Sequence, residues 1–324
     1  MENRDGLLQI FARDIREKLE RLPVDYGQVQ EIRLRISCPL FLIYRNKETF
    51  VSREGGITQR EEEAYPVTRR DLKETVECIS SYSLYAFEEE LRQGFITIQG
   101  GHRVGLAGKA VAEERNIRTL KYISFINVRL SHQVRGCADR LMPFLYGNKT
   151  GEEGIYNTLI ISPPRCGKTT LLRDMIRQIS NGRGTRKGIG VGVVDERSEI
   201  AACWRGEPQN DIGIRTDVLD CCPKAAGMMM LIRSMSPAVI GVDEIGSPEE
   251  LEAMRYAINC GCRLVATVHG ESLEDIKCKP VLREMFAERI FKRYVLLDSS
   301  VHIGHIAGIY DEAGRKVEAY ELDM

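Results

Sequence analysis

The sequence predicts an α/β protein of two parts: an N-terminal mixed α+β domain, then a domain built on a mainly parallel sheet. The chain has 324 residues, which is more than a single hydrophobic core usually serves. Alternating segments dominate before residue 154, whereas short apolar strands alternate with helical patterns after it. A polar, glycine-rich stretch over 147–154 separates the two textures. We therefore predict domains over 1–147 and 148–324.

Composition excludes several classes of protein. Hydrophobic residues make up 43%, charged residues 29%, and the formal net charge is −1, as in ordinary soluble globular proteins. Such a balance argues against nucleic acid as a partner. No apolar run approaches the ~18 residues of a membrane-spanning helix, so we expect no direct membrane span. The ten cysteines form no C-x-x-C pair, which favours free thiols in a reducing cytosol over a metal site or disulfide framework.

The first domain begins with an amphipathic helix, because apolar residues recur at helical spacing between Leu7 and Leu22. The alternation and turn signals that follow predict the remaining elements. In chain order these are strands over 28–52, a pair of helices over 68–94, a hairpin around Gly100-Gly101, a strand over 123–131, and a helix from Cys137 to about Tyr146.

Four apolar strands organise the second domain, and each has polar residues at its carboxyl end. They read NTLIIS, GVGVVDE, PAVIGVDE and RLVATVH. Buried parallel strands have this uniform apolar character, and their ligands gather at the carboxyl edge of the sheet. Closing antiparallel strands follow, with a turn at residues 311–314.

Residues 161–170, ISPPRCGKTT, join the first of these strands to a helical pattern. Gly167 permits close backbone approach, Lys168 is placed to reach the β and γ phosphates, and Thr169 is placed to bind Mg²⁺. Two residues depart from G-x-x-x-x-G-K-[ST]: Ser162 replaces the first glycine, and Arg165 stands where glycine is common and permits positive φ. The alternative is a surface turn without a ligand. The predicted nucleotide-binding residues are Pro164, Arg165, Cys166, Gly167, Lys168, Thr169 and Thr170.

An acid pair, Asp243-Glu244, ends the strand PAVIGVDE. A magnesium nucleotide site needs one acid near the metal and one group that orients the attacking water. We therefore predict Asp243, with Thr169, as metal ligands, and Glu244 as a catalytic residue together with Lys168. A solvated acidic strand end is the alternative.

Further candidates follow the other strands. Asp195 and Glu196 could hold the metal or water through a second layer of contacts, or pair structurally with Arg197. His269 follows RLVATV and is a γ-phosphate sensor or a structural histidine, with equal support. Arg215 could aim at a γ-phosphate from its own or a neighbouring subunit, although an ion pair with Asp217 is the simpler expectation.

The segment RSMSPAVIGVDEIGSPEELEAMRYAINCGCRLVATVHG resembles the ATPases of type II and type IV secretion systems and pilus motors. The match is closer to one branch, the stage III sporulation protein AA family. That family's hallmarks occur here as PPRCGKTTLLRD, VDERSEIA, RTDVLDCCPKAAGMMMLIRSMSP and VDEIG. The resemblance covers the whole chain.

This resemblance implies a RecA-like P-loop ATPase domain that uses ATP and Mg²⁺. Lys168 and Thr169 would form the end of the Walker A motif, and Asp243 and Glu244 the end of Walker B. Asp195, Glu196 and Glu199 match an acidic box, and His269 a histidine box. It also implies a cytoplasmic ring, hexameric in form, docked from the mother-cell side on integral-membrane subunits of a channel to the forespore.

Three functions remain open at this stage. The first is a Mg²⁺-dependent ATP hydrolase that does mechanical work. The second is a nucleotide-binding ring scaffold with little turnover. The third is a nucleic-acid motor, against which the near-neutral charge argues.

Overall fold

The computed structural model describes residues 6–80, 94–113, 116–147, 154–300 and 303–317. The chain divides into two compact units. The first comprises Met1–His132 with Ala202–Gln209, and the second comprises Gln133–Ala201 with Asn210–Met324. The predicted boundary between residues 147 and 148 stays a prediction, because compactness does not test where an independently folding domain ends.

The first unit contains an antiparallel sheet of seven strands in the order β4-β3-β2-β1-β7-β6-β5. The expected strands over 28–52, the hairpin at residues 100–101 and the strand over 123–131 are confirmed. The strands are β1 (Val29–Arg35), β2 (Phe41–Tyr44), β3 (Lys47–Val51), β4 (Ile57–Thr58), β5 (Ile96–Ile98), β6 (His102–Glu113) and β7 (Asn116–Arg129).

Two helices of this unit carry buried apolar residues: α1 (Arg13–Arg21) and α2 (Arg69–Ile79). A capping box fixes the start of α2, since Thr68 and Asp71 each accept a backbone N–H from the other. Short 3-10 helices lie at Tyr26–Gln28 and Glu61–Glu63. The second helix predicted within 68–94 falls on 81–93, outside the described residues.

The helix predicted from Cys137 to about Tyr146 is wrong. The segment consists of turns and a 3-10 helix at Met142–Leu145. Pro143 explains the difference, because it has no N–H for an α-helical bond and its ring would clash with the preceding turn.

The second unit contains another seven-stranded sheet, in the order β12-β11-β13-β14-β8-β15-β16. All neighbouring strands are parallel except β15 and β16, which close the sheet as an antiparallel pair. The mainly parallel sheet is therefore confirmed. Its strands are β8 (Thr158–Ser162), β11 (Val191–Asp195), β12 (Thr216–Asp220), β13 (Val239–Val242), β14 (Arg263–His269), β15 (Arg293–Asp298) and β16 (His305–Tyr310), and a separate small hairpin joins β9 (Gly182–Arg183) to β10 (Arg186–Lys187).

Helices follow β8, β12, β13 and β14. Apolar residues of the helices after β12, β13 and β14 pack on the sheet in one buried cluster. Because β8, β11, β13 and β14 are parallel, their carboxyl ends meet at one edge, and the predicted site residues other than Arg215 lie there. The helices are α3 (Lys168–Asn181), α4 (Lys224–Ser234), α5 (Pro248–Asn259), α6 (Leu273–Cys278) and α7 (Pro280–Ala287). Within the described ranges, no helix is long and apolar enough to cross a membrane.

Candidate nucleotide-binding site

The loop between β8 and α3 has the geometry of an anion cradle. Gly167 caps α3 with φ +87°, and Arg165 also has a positive φ of +63°. No described side chain caps this helix, so its first N–H groups are available to bind an anion. Arg165 holds a left-handed conformation that costs a non-glycine residue about 1–2 kcal/mol. Ser162 is fully buried as the last residue of β8, so its replacement of glycine is accommodated inside the strand.

Thr169 and Asp243 meet where α3 begins and β13 ends. The Thr169 hydroxyl donates a hydrogen bond of 2.6 Å to Oδ2 of Asp243, and the Thr267 hydroxyl contacts Oδ1 of the same carboxylate. A hydroxyl and a carboxylate side by side supply the oxygen donors that Mg²⁺ prefers. The residues present therefore fit a magnesium ion.

Lys168 and Glu244 form a mostly buried ion pair, with 2.7 Å between Nζ and Oε1. The Glu244 carboxylate also contacts His269 Nε2 at 2.8 Å and Arg197 at 2.9 Å. Burial alone would raise the pKa of Glu244, but the hydrogen bond and charge of Lys168, with His269 and Arg197, hold it below its ordinary value. Glu244 is thus an ionised carboxylate surrounded by cationic and hydrogen-bonding side chains.

The backbone of Glu244 is itself unusual, with a left-handed φ of +51°. Its N–H is close to two acceptors, the Thr267 hydroxyl at 2.9 Å and Asp243 Oδ1 at 3.1 Å. A glutamate holds this conformation only when its surroundings determine it, and such positions cluster at functional sites. No sequence pattern predicts this backbone conformation.

Asp195 is bound by backbone rather than by Arg197. Its two carboxylate oxygens accept N–H groups from Glu199, Ile200 and Ala201 at 2.7–2.9 Å. Burial, which outweighs these hydrogen bonds, raises the pKa of Asp195 to about 6. These contacts favour a structural role for Asp195, the fixing of the segment after β11. Its neighbour Glu196 is half-exposed and lies 3.5 Å from Lys224.

Arg215 does not join this cluster within the chain. Its guanidinium donates to the carbonyl of Ser180 at 3.0 Å, and its N–H to the Ser180 hydroxyl at 2.7 Å. Ser180 is near the end of α3, whereas the phosphate loop precedes the start of that helix. A role for Arg215 in a neighbouring subunit's site stays a prediction.

The remaining loop residues make contacts within the chain, and their part in nucleotide binding stays a prediction. Cys166 is buried, and its thiol donates to the Pro164 carbonyl at 3.6 Å. A buried thiol is poorly placed for reaction with oxidants. Thr170, in the first turn of α3, is half-buried, and its carbonyl accepts from the Cys137 thiol at 3.7 Å.

Sequence reasoning missed two buried cations. Arg173 donates to the carbonyls of Glu199 and Ile200, both at 2.6 Å, and burial lowers its pKa. Lys224 donates to the Glu244 carbonyl at 2.5 Å and lies 2.8 Å from Glu250. The available signal was a cation at an otherwise apolar helical position, which is uncommon without a partner.

The match to a family profile decides which proteins this chain is related to. The profile described as "Sporulation stage III, protein AA" matches residues 1–317. The chain belongs to the stage III sporulation protein AA family. It is 41% identical over 309 residues to stage III sporulation protein AA of Bacillus subtilis (strain 168), which covers 95% of each chain. A second relative, the Arabidopsis thaliana protein SEEDLING PLASTID DEVELOPMENT 1, is 28% identical over 221 residues, or 67% of this chain and 28% of that protein.

Solved structures confirm the fold of this family member. The pilus retraction motor PilT with bound ADP superposes with a TM-score of 0.54 at 14% identity, covering 90% of this chain and 77% of that one. The Legionella pneumophila ATPase DotB gives 0.53 at 14% identity, covering 83% and 72%. The predicted resemblance to secretion ATPases, with a RecA-like P-loop fold, is thereby confirmed. At such identities the likeness establishes the fold alone.

Proposed function

We propose that this chain is a Mg²⁺-dependent ATP hydrolase that energises or assembles a channel between mother cell and forespore during sporulation. The family membership supports the setting in sporulation. The observation that carries the chemistry is the meeting of Lys168, Thr169, Asp243 and Glu244 at one edge of the parallel sheet. ADP is bound to the pilus motor of the same fold, which supports a nucleotide at the corresponding edge here.

The residues divide the chemistry between them. The N–H groups at the start of α3 and the ammonium of Lys168 would bind the β and γ phosphates and stabilise the charge that develops during transfer. Thr169 and Asp243 would hold Mg²⁺, which supplies neutralisation of phosphate charge when bound. A phosphate oxygen competes with Glu244 for Lys168, so nucleotide binding frees one face of the Glu244 carboxylate to orient water.

His269 and Arg197 would act on the same carboxylate. Both contact Glu244 within 2.9 Å, and both carry groups that can also donate to a γ-phosphate oxygen. We assign His269 the role of γ-phosphate sensor and keep Glu196, which is half-exposed beside Lys224, as a water-orienting candidate.

A ring scaffold with little turnover is the second candidate, and one observation favours it. The pKa of Glu244 lies below its ordinary value, which makes the carboxylate a weak base. A carboxylate that stays held by its neighbouring side chains would not orient water, so nucleotide could bind with slow hydrolysis.

We further propose that the protein works as a homohexameric ring, at the mother-cell face of the membrane, on integral-membrane subunits and without nucleic acid. The test is Mg²⁺-dependent ATP hydrolysis per chain as a function of chain concentration. A rate per chain that rises with concentration is expected if sites are completed between subunits, for example by Arg215. Bound nucleotide with no hydrolysis at any concentration would favour the scaffold, and DNA-stimulated turnover would contradict the absence of a nucleic-acid partner.

A further inference from the structure

Lys224 occupies a position that is unfavourable for a lysine. It is the first residue of α4, where the helix dipole repels a cation. It is also buried, with 8% of its surface exposed, and an ammonium group is costly to bury unless it is paired. A lysine held against both effects implies that its contacts matter to the molecule.

Those contacts join three elements around the candidate site. The Lys224 ammonium lies 2.8 Å from Glu250 on α5, 3.5 Å from Glu196 after β11, and 2.5 Å from the Glu244 carbonyl oxygen. The carboxylate of Glu250 in turn accepts the N–H groups of Gly246 and Ser247 at 2.7 and 3.0 Å. The segment that follows β13 is therefore held by one buried ion pair from both sides.

Glu244 depends on this arrangement because its backbone groups bond to side chains instead of to a neighbouring strand. The N–H is held by Asp243 and Thr267, as described above. The carbonyl oxygen is held by Lys224. With φ at +51°, a small backbone rotation at this residue would swing the carboxylate away from Lys168.

We propose that Lys224 is a positioning residue that fixes the left-handed backbone of Glu244 and so aims its carboxylate at the nucleotide site. Lys224 acts through the Glu244 carbonyl, not through the nucleotide. The inference deepens the proposed function and rests on it where turnover is concerned, whereas the backbone claim stands independently.

Four variants of the full chain serve both readouts, and the second readout adds Glu244→Gln with and without Lys224→Met. Lys224→Met removes the ammonium and keeps the length of the side chain. Lys224→Met with Glu250→Gln also removes the buried carboxylate that would be left unpaired, which guards against simple misfolding. Lys224→Arg restores a cation. Lys187→Met, at an exposed lysine of the same unit, is the matched control.

The first readout is amide hydrogen exchange without nucleotide. We expect the exchange rate at residues 244–247 to rise by about tenfold or more in both variants that carry Lys224→Met, while the exchange rate of α3 stays unchanged. In Lys224→Arg the rate at residues 244–247 should recover in part. Exchange at the parent rate in the Met variants would overturn the proposal. This readout needs no ATPase activity, so it judges Lys224 even if the proposed function fails.

The second readout separates binding from turnover. We expect the Met variants to bind ATP within about threefold of the parent and to hydrolyse it at least about tenfold more slowly. Lys224→Met added to Glu244→Gln should lower turnover no further, because both changes act on one carboxylate. A full further decrease in that double variant would contradict the positioning role. A parent chain that neither binds nor hydrolyses ATP would overturn the proposed function alone.

Discussion

The two units of this chain differ in what they bury. Each has a seven-stranded sheet and an apolar core. Of the Asp, Glu, Lys, Arg and His side chains among the described residues, the first unit buries two, Asp71 and His102, whereas the second buries six: Lys168, Arg173, Asp174, Asp195, Lys224 and Glu250. The antiparallel sheet of the first unit packs on apolar side chains. The buried acid of this unit, Asp71, caps the start of α2.

The difference shows that the second unit buries charged side chains at positions where apolar side chains would usually stabilise a fold as well. Buried charges destabilise a fold unless partners compensate them, and apolar residues of similar size are often as good. In the second unit, Lys168 and Lys224 contact opposite ends of Glu244, its carboxylate and its carbonyl. Charges concentrated at the carboxyl edge of a parallel sheet fit the nucleotide site proposed there.

The largest expected effect is on turnover in Glu244→Gln. The amide keeps the size of the side chain but cannot act as a base, so hydrolysis should fall by about 10²- to 10⁴-fold. Single-turnover ATP hydrolysis measures this, with Glu249→Gln as an exposed acidic control. Parent-like turnover in Glu244→Gln would remove the catalytic role from that residue and weaken the contrast between the units.

Lys168→Ala should nearly abolish nucleotide binding. The buried ammonium is a fixed charge at the end of the phosphate loop, and its loss should weaken ATP affinity by about 100-fold or more. Equilibrium binding of a fluorescent ATP analogue measures the loss, and Lys187→Ala is the control. Unchanged affinity would mean that the phosphate lies elsewhere.

His102 should make the first unit lose stability in acid. Its burial lowers its pKa from 6.5 to about 4, so between these values the unfolded chain binds a proton that the folded chain does not. Stability is therefore lost as pH falls, by roughly 2 kcal/mol between pH 7 and 5. Exchange of the slowest amides of β6 and β7 measures it, and His102→Gln should remove the dependence. An equal dependence in that variant would assign it to other groups.

Asp195 should give the second unit a smaller effect of opposite sign. Its pKa is raised by burial from 3.8 to about 6, so the folded chain binds the proton more readily than the unfolded chain. The contribution of Asp195 to the free energy of unfolding is fully present at low pH and is lost as pH rises through 6. Stability should therefore increase by roughly 1 kcal/mol as pH falls from 7 to 5. The slowest amides of β11 report it, with Asp195→Asn as the reference. If stability instead fell between pH 7 and 5, as expected for His102, the dependence could not come from Asp195.

Local patterns predicted much of the second unit and its site. The phosphate loop and the pair Asp243-Glu244 are readable because strand, turn and helix signals lie next to the functional residues. The strand-end location of His269 likewise follows from the parallel order of β13, β14 and β8. The family resemblance added the acidic box, of which Asp195 is held by three backbone N–H groups.

The features that could not be predicted from the sequence depend on contacts between distant residues or on backbone geometry. Lys224 binds a carbonyl 20 residues further along the chain, and no periodicity encodes that contact. The positive φ of Glu244 accompanies contacts of its N–H with Asp243 and Thr267 and of its carbonyl oxygen with Lys224. The α-helix expected over 137–146 from apolar spacing does not form, because Pro143 is incompatible with its interior.

We propose that the carboxyl edge of the parallel sheet binds a magnesium nucleotide. The most direct measurement is a calorimetric titration of the full chain with ATP, with and without Mg²⁺. We expect saturable binding of one nucleotide per chain. The affinity should increase when Mg²⁺ is present, because Thr169 and Asp243 can then bind the metal ion of the magnesium nucleotide. No saturable binding at millimolar ATP, or affinity indifferent to Mg²⁺, would contradict it.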